Sequence, residues 1–186
     1  MSETRSFASA RRLAAKRRIA PVLRGVALFV AVSCADGAVS GAGAVQTQGF
    51  DPITFFTGAT ESTGALKQAF SSAKSTRGSG FGAMRGKGTF VLDQTMTIAG
   101  EPAKKRQWQL HLISPGHFGG MISDGKGPVT IDVAGNRLLI KYTMANGLKV
   151  QSTLTIDPGG RSGHNRSSVR KWGMTVATLD ETILKQ

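Results

Sequence analysis

The chain has 186 residues, of which 40% are hydrophobic and 24 are glycine, so it suits one globular core and excludes a disordered or collagen-like protein. Its net charge is +13, but about half of that excess lies in residues 1–34, so the charge gives no argument for a nucleic-acid partner. The single cysteine, Cys34, excludes an internal disulfide.

The N-terminal residues have the order of a secretory signal peptide. A basic stretch over residues 10–18 precedes an apolar run over residues 25–33, and small residues follow to position 44. The apolar run has about half of the roughly 20 residues that a membrane-spanning helix needs. We therefore predict an exported protein, periplasmic or lipid-anchored in the cell envelope. Residues 1–44 are its signal peptide and small-residue tether, and residues 45–186 its folded domain.

Two processing sites compete within this segment. Ala42-Gly43-Ala44 has the small-x-small form of ordinary signal cleavage. Residues 31–34 resemble a bacterial lipoprotein box, in which Cys34 is lipidated and anchors the protein to a membrane, although such a box normally begins with Leu and here begins with Ala31. Both alternatives stay open.

From about Gly49 onward, apolar and polar residues alternate with the period of two that is typical of half-buried strands. The clearest runs are residues 89–98, 107–112, 129–133, 138–144 and 148–156, with glycine- and proline-rich turns between them. Asn146-Gly147 predicts a tight type I′ hairpin between the last two runs. Residues 65–73 are a candidate short helix, and residues 72–86 are rich in serine and glycine.

This pattern predicts an all-β fold, a small antiparallel up-and-down barrel of about eight or nine strands. A membrane-spanning barrel with its apolar faces toward lipid is the alternative. Its aromatic girdles are not evident in nine Phe, two Trp and one Tyr.

The chain offers no motif for catalysis, for a metal or for a cofactor. Its three histidines, His111, His117 and His164, have no metal-ligand spacing, and zinc needs three or four ligands. There is neither a phosphate-binding loop of the Gly-x4-Gly-Lys type nor a Gly-x-Ser-x-Gly nucleophile turn. We therefore predict a non-enzymatic protein with no cofactor.

Three short motifs resemble a known family. They are Asp51-Pro-Ile-Thr-Phe-Phe-Thr-Gly58, Gly88-Thr-Phe-Val-Leu-Asp93 with Arg106-Gln-Trp108, and Asn165-Arg166 with Lys171-Trp-Gly-Met-Thr-Val176. In order and spacing they resemble the bacterial domain-of-unknown-function family three-eight-three-three over residues 50–185. The resemblance implies a lipocalin-like barrel, often in a lipoprotein, and no established activity. Asp180 and Glu181 depart from it, because they interrupt a final strand that is usually more apolar.

Nine apolar side chains are predicted to converge on one barrel interior that binds a lipid or another apolar small molecule. They are Phe90, Leu92, Trp108, Leu110, Ile131, Ile140, Tyr142, Val150 and Leu154. A second group is basic, and it favours an anionic head group if it gathers on one rim. Its members are Lys104, Lys105, Arg106, Arg161, Arg166, Arg170 and Lys171. The alternative is a structural or interaction module of the envelope, with a filled core and no ligand.

Overall fold

The computed structural model describes residues 50–186, which form a closed antiparallel barrel of ten strands. The predicted all-β antiparallel barrel is confirmed, and its count of eight or nine strands is wrong by one or two. The predicted signal segment, tether and Cys34 lie outside the described residues. The elements are α1 (Pro52–Phe56), β1 (Gly58–Gln68), β2 (Lys74–Arg85), β3 (Thr89–Ile98), β4 (Lys104–Ser114), β5 (His117–Ile122), β6 (Val129–Ala134), β7 (Arg137–Thr143), β8 (Lys149–Ile156), β9 (Ser162–Lys171) and β10 (Met174–Lys185).

The topology is a simple meander. Each strand pairs with the next along the chain, and β10 returns to pair with β1, so no strand edge is left open. Alternate connections therefore gather at opposite ends of the barrel. We call one end the base, where α1 lies, and the other the mouth, formed by the loops 69–73, 99–103, 123–128, 144–148 and 172–173.

Most of the serine- and glycine-rich residues 72–86 form strand β2, which the sequence did not predict. Gly78, Gly80 and Gly82 face the barrel interior. Side chains of β1 and β3 occupy the space above Gly78 and Gly80, and the Phe56 backbone and the Phe90 ring occupy the space above Gly82. The Cβ of a residue at position 80 would lie 2.8 Å from the Thr60 hydroxyl oxygen. These glycines are thus packing positions, and their lack of side chains leaves no open space. The candidate helix over residues 65–73 is also wrong, since β1 runs through Gln68.

The apolar faces of the strands point inward, so the alternative with apolar faces outward is wrong. The buried core includes Phe90, Leu110, Leu138 and Leu154, none of them more than 5% exposed. Burying each such side chain stabilises the fold by about 1.5–3 kcal/mol. Within residues 50–186 the structure contains no helix that could span a bilayer.

Helix α1 closes the base. The Asp51 carboxylate caps its first turn by accepting from the backbone N–H groups of Ile53 and Thr54. Phe55 is 1% exposed within the core. At the other end of the helix, the Lys185 ammonium donates to the carbonyl oxygens of Thr54, Phe55 and Thr57 at 2.7, 3.1 and 2.7 Å. The last residues of β10 therefore hold the helix in place.

The predicted hairpin of β7 and β8 is confirmed, but its turn is of another type. A type I′ turn needs positive φ at both central residues, and here Gly147 has φ +82° while Asn146 does not lie in that region. The Gly147 N–H donates to the Met144 carbonyl, and the Met144 N–H donates to the Leu148 carbonyl, both at 2.8 Å. This is a three-residue loop that ends in a left-handed glycine bulge.

Candidate functional site

The barrel interior has two chemically different walls. The inner faces of β3 to β7 carry most of the buried apolar core, which we call the apolar wall. The inner faces of β8, β9, β10, β1 and β2 carry a group of buried or half-buried polar side chains, which we call the polar wall. The members of the polar wall are Thr60, Ser62, Thr76, Ser152, Asn165, Ser167 and Glu181.

All nine residues predicted to line the interior lie on inner faces. Phe90, Leu92, Trp108, Leu110, Ile131, Val150 and Leu154 are buried. Ile140 and Tyr142 are half-buried and pack against the core. Their role as ligand-binding residues stays a prediction. The most buried of them form solid packing toward the base.

Solvent reaches the mouth half of the interior. Several inner-face residues there keep partial exposure, among them Leu66, Met96, Tyr142 and Leu179. Toward the base the exposure falls to 0% at Leu138. The accessible part of the interior therefore ends above the polar wall, whose members other than Asn165 are at most 9% exposed.

Glu181 is the most unusual residue of the polar wall. It is only 9% exposed, and its Oε1 accepts a hydrogen bond from the Asn165 Nδ2 at 2.8 Å. Its Oε2 is buried and has no partner. A buried carboxylate oxygen without a donor is costly, because burial removes its hydration and nothing replaces it.

Two further buried polar atoms near Glu181 also lack partners, namely Asn165 Oδ1 and Thr76 Oγ1. The register brings these residues together. Asn165 pairs with Glu181 across β9 and β10, and Gly64 of β1 pairs with Glu181 on one side and Thr76 on the other. A side chain at position 64 would collide with Glu181, since its Cβ would lie 2.6 Å from the Glu181 Cβ. We call Thr76, Asn165 and Glu181 the unpaired polar row.

A second polar network lies on the opposite side of the interior. Gln94 Oε1 accepts from Arg106 Nε at 2.7 Å and from the Trp108 indole N–H at 3.1 Å. Arg106 lies over the Trp108 ring and donates to the Tyr142 hydroxyl at 3.5 Å. Burial raises the pKa of Tyr142, the nearby Arg106 opposes that shift, and the charges of Asp124 and Glu181 add to it.

Sequence reasoning missed the polar wall. Its serines and threonines resemble ordinary strand residues, and their inward direction follows only from the register. The sequence contains one signal, because Asp180 and Glu181 interrupt an apolar strand. The structure separates them: Asp180 is exposed and pairs with Arg166 at 2.6 Å, whereas Glu181 faces inward.

The basic residues do not all gather on one rim. Lys104, Lys105, Arg170 and Lys171 lie at strand ends beside the mouth. Arg106 points into the interior, Arg161 lies in a loop at the base, and Arg166 lies on the outer wall.

The outer wall carries two open grooves of about 660 and 620 Å³. The larger includes His164, Arg166 and Asp180, and the smaller includes Phe81, Asp93 and Lys105. His117 contacts Asp132 at 2.9 Å, and His164 contacts Thr182 at 3.2 Å. Within residues 50–186, no group of three or more His, Cys, Asp or Glu side chains is placed to hold a metal ion.

Comparison with solved structures shows the same fold in two distant proteins. The S-type phycobiliprotein lyase CPES from Guillardia theta superposes with a TM-score of 0.59 at 4% identity, over 72% of this chain and 90% of the lyase. Rv2717c from M. tuberculosis superposes with a TM-score of 0.53 at 16% identity, over 74% of this chain and 99% of that protein. A de novo designed fluorescence-activating β-barrel gives a TM-score of 0.43 at 12% identity, over 74% of this chain and 99% of the designed one.

No curated protein matches the chain. A family model described as a protein of unknown function, DUF3833, matches residues 28–185 and confirms the family that the motifs resemble.

Proposed function

The chain belongs to the DUF3833 family of proteins of unknown function, and we propose that it is a non-enzymatic protein of the cell envelope that binds a small amphipathic molecule inside its barrel. The family gives no activity, so the support comes from the interior itself. The observation that carries the proposal is the unpaired polar row, with three buried polar atoms of Thr76, Asn165 and Glu181 lacking partners.

The chemistry of these atoms indicates what the ligand offers. Glu181 Oε2 and Asn165 Oδ1 are acceptors, so both call for N–H or O–H donors. Buried polar atoms without partners in a folded protein point to a bound molecule or ordered water. The polar end of the ligand is therefore an ammonium, a hydroxyl or an amide. It differs from the anionic head group that the basic residues favoured.

The apolar end of the ligand lies toward the mouth. Leu66, Met96 and Leu179 are inner-face residues with partial exposure, and they offer apolar contact above the polar wall. The packed base has no room for a chain, because Phe90 and Leu154 are each 1% exposed. The ligand thus enters with its polar end first and stops above the core.

A displacement assay with a fluorescent probe tests this function. N-phenyl-1-naphthylamine fluoresces in apolar surroundings, and we expect it to bind the full-length protein. Dodecylamine should displace it at a lower concentration than dodecanoate of equal chain length. Glu181→Gln should weaken the affinity for dodecylamine by about ten- to a hundredfold, because a hydrogen bond to a charged group contributes about 1.5–3 kcal/mol.

Glu61→Gln is the matched control, since Glu61 is an exposed carboxylate on the outer face of β1. It should leave displacement unchanged. No saturable probe binding, or equal affinity of dodecylamine for the wild type and Glu181→Gln, would refute the proposal. The solid apolar half of the barrel, with Val129 and Leu138 at 0% exposure, would then favour a structural module without a ligand.

A further inference from the structure

Two aromatic side chains project from the mouth without packing against the barrel. Phe70 lies in the β1–β2 loop and Trp172 in the β9–β10 turn. Their exposures, 109% and 84%, are the highest among the exposed large hydrophobic residues of the described chain. We call Phe70 and Trp172 the aromatic tips.

The aromatic tips lie on adjacent hairpins. Strand β1 pairs with β10 as far as Gln68 and Ala177, and the Ala69 N–H extends the ladder to the Val176 carbonyl at 2.9 Å. Met174, 63% exposed, begins β10 next to the turn. The tips and Met174 therefore form one exposed apolar patch at one side of the mouth.

Both tips occupy backbone conformations that suit them poorly. Phe70 has φ +62° and Trp172 has φ +50°, and they are the only non-glycine residues with positive φ in the described part of the chain. For bulky residues this region is unfavourable. Their exposure shows that burial of the rings does not offset this strain. The Trp172 ring has a contact with the Lys171 ammonium, which lies 4.6 Å from the ring centroid.

The mouth that carries the aromatic tips is strongly basic. Its acidic residues are Glu101 and Asp124, and Glu101 is already paired with Lys74 and Lys104. Its basic residues are Lys67, Lys74, Lys104, Lys105, Lys126, Lys149, Arg170 and Lys171. Two copies of such a surface repel each other, so a second copy of the chain does not fit the patch.

We propose that the mouth docks on a membrane surface rich in anionic lipids, with the aromatic tips inserted at the level of the head groups. Aromatic rings with one wet side concentrate at membrane interfaces, and lysine and arginine near an anionic surface add attraction. The docked barrel faces the bilayer with its open end, so an amphipathic molecule can pass between membrane and interior without crossing water.

Vesicles of brominated phosphatidylcholine, with and without phosphatidylglycerol, test this docking with the full-length protein. Bromine quenches only indoles that reach the bilayer, and the chain has two tryptophans, Trp108 inside the barrel and Trp172 at the mouth. The basic N-terminal segment contains no tryptophan, so its own attraction to the vesicles does not produce quenching. We expect quenching on phosphatidylglycerol vesicles that high salt abolishes.

Variants assign the signal to the mouth. Trp172→Phe should abolish the quenching. Phe70→Ser should raise the lipid concentration needed for half-maximal quenching about tenfold, as expected for the loss of one buried aromatic ring. Phe81→Ser is the matched control, because Phe81 is 57% exposed on the outer wall. Absence of quenching, or quenching that is the same with and without phosphatidylglycerol, would overturn the proposal. So would a Phe81→Ser variant that needs as much extra lipid for quenching as Phe70→Ser. Circular dichroism should show the same fold for all three variants.

Discussion

Tyr142 reports on the interior at the scale of a single residue. It is the only tyrosine of the chain, and burial raises its pKa, with Arg106 opposing the shift. We expect the ultraviolet absorbance of its phenolate to appear at higher pH than the ordinary value of about 10. A phenolate signal at or below that value would contradict the buried position.

The same shift predicts a pH dependence of stability. The folded pKa of Tyr142 lies above its unfolded value, so its stabilising contribution is complete below the unfolded pKa. It is lost as pH rises through the folded pKa. The free energy of unfolding, measured by urea titration, should fall over this alkaline range in the wild type. In Tyr142→Phe, the free energy of unfolding should fall less over the same alkaline range.

Glu181 shows what sequence reasoning could and could not obtain at this scale. An acid inside an apolar strand is visible as a departure from the family pattern. Whether position 180 or 181 faces inward depends on a one-residue register, and only the pairing of Glu181 with Gly64 and Asn165 decides it. Whether Glu181 Oε2 has a hydrogen-bond partner depends on three-dimensional packing, which the sequence pattern does not predict.

Among the elements, the β7–β8 hairpin gives the sharpest test of local geometry. Gly147 has φ +82°, so a β-branched residue there is strained whatever the available space. We expect Gly147→Val to lower the free energy of unfolding by about 1–3 kcal/mol. Gly147→Asn should cost less, because asparagine tolerates the left-handed region better than most residues. Equal losses in chemical denaturation would argue against this turn.

Helix α1 depends on a contact that comes from the far end of the chain. Lys185→Met would leave the carbonyls of Thr54, Phe55 and Thr57 without their shared donor. These contacts are exposed or partly buried, so water replaces part of the lost interaction; we expect a loss of about 0.5–1.5 kcal/mol and thermal unfolding at a lower temperature. Lys87→Met, in the exposed β2–β3 loop, is the control and should change little. Equal stability of both variants would show that the helix needs no such anchor.

The elements also show why some strands were predictable and others were not. Strands β3, β6 and β7 alternate strictly enough for their faces to be read from the sequence. Strand β2 was missed, because its inner positions include three glycines whose space is filled by neighbours. A hydrophobicity pattern depends only on each residue's own side chain. It therefore does not identify a strand whose inner face is covered by residues of other elements.

For the whole molecule, export of the chain stays a prediction, based on the order of basic, apolar and small residues before position 45. Residues 1–49 fused to a reporter that is active only outside the cytoplasm should give activity. Cys34→Ser in the full-length protein should release it from membranes if the lipoprotein interpretation is right, and should have no effect if cleavage occurs after Ala44. An inactive reporter would contradict export.

Mass spectrometry of protein purified from its native source tests the central claim most directly. We expect a small amphipathic molecule with an amine, hydroxyl or amide group to be released on denaturation, close to one per chain. Glu181→Leu, which removes the unpaired acceptor, should purify without it, whereas Glu61→Gln should retain it. A wild-type protein that releases no such molecule, or a Glu181→Leu variant that releases the same amount, would contradict ligand binding at the unpaired polar row.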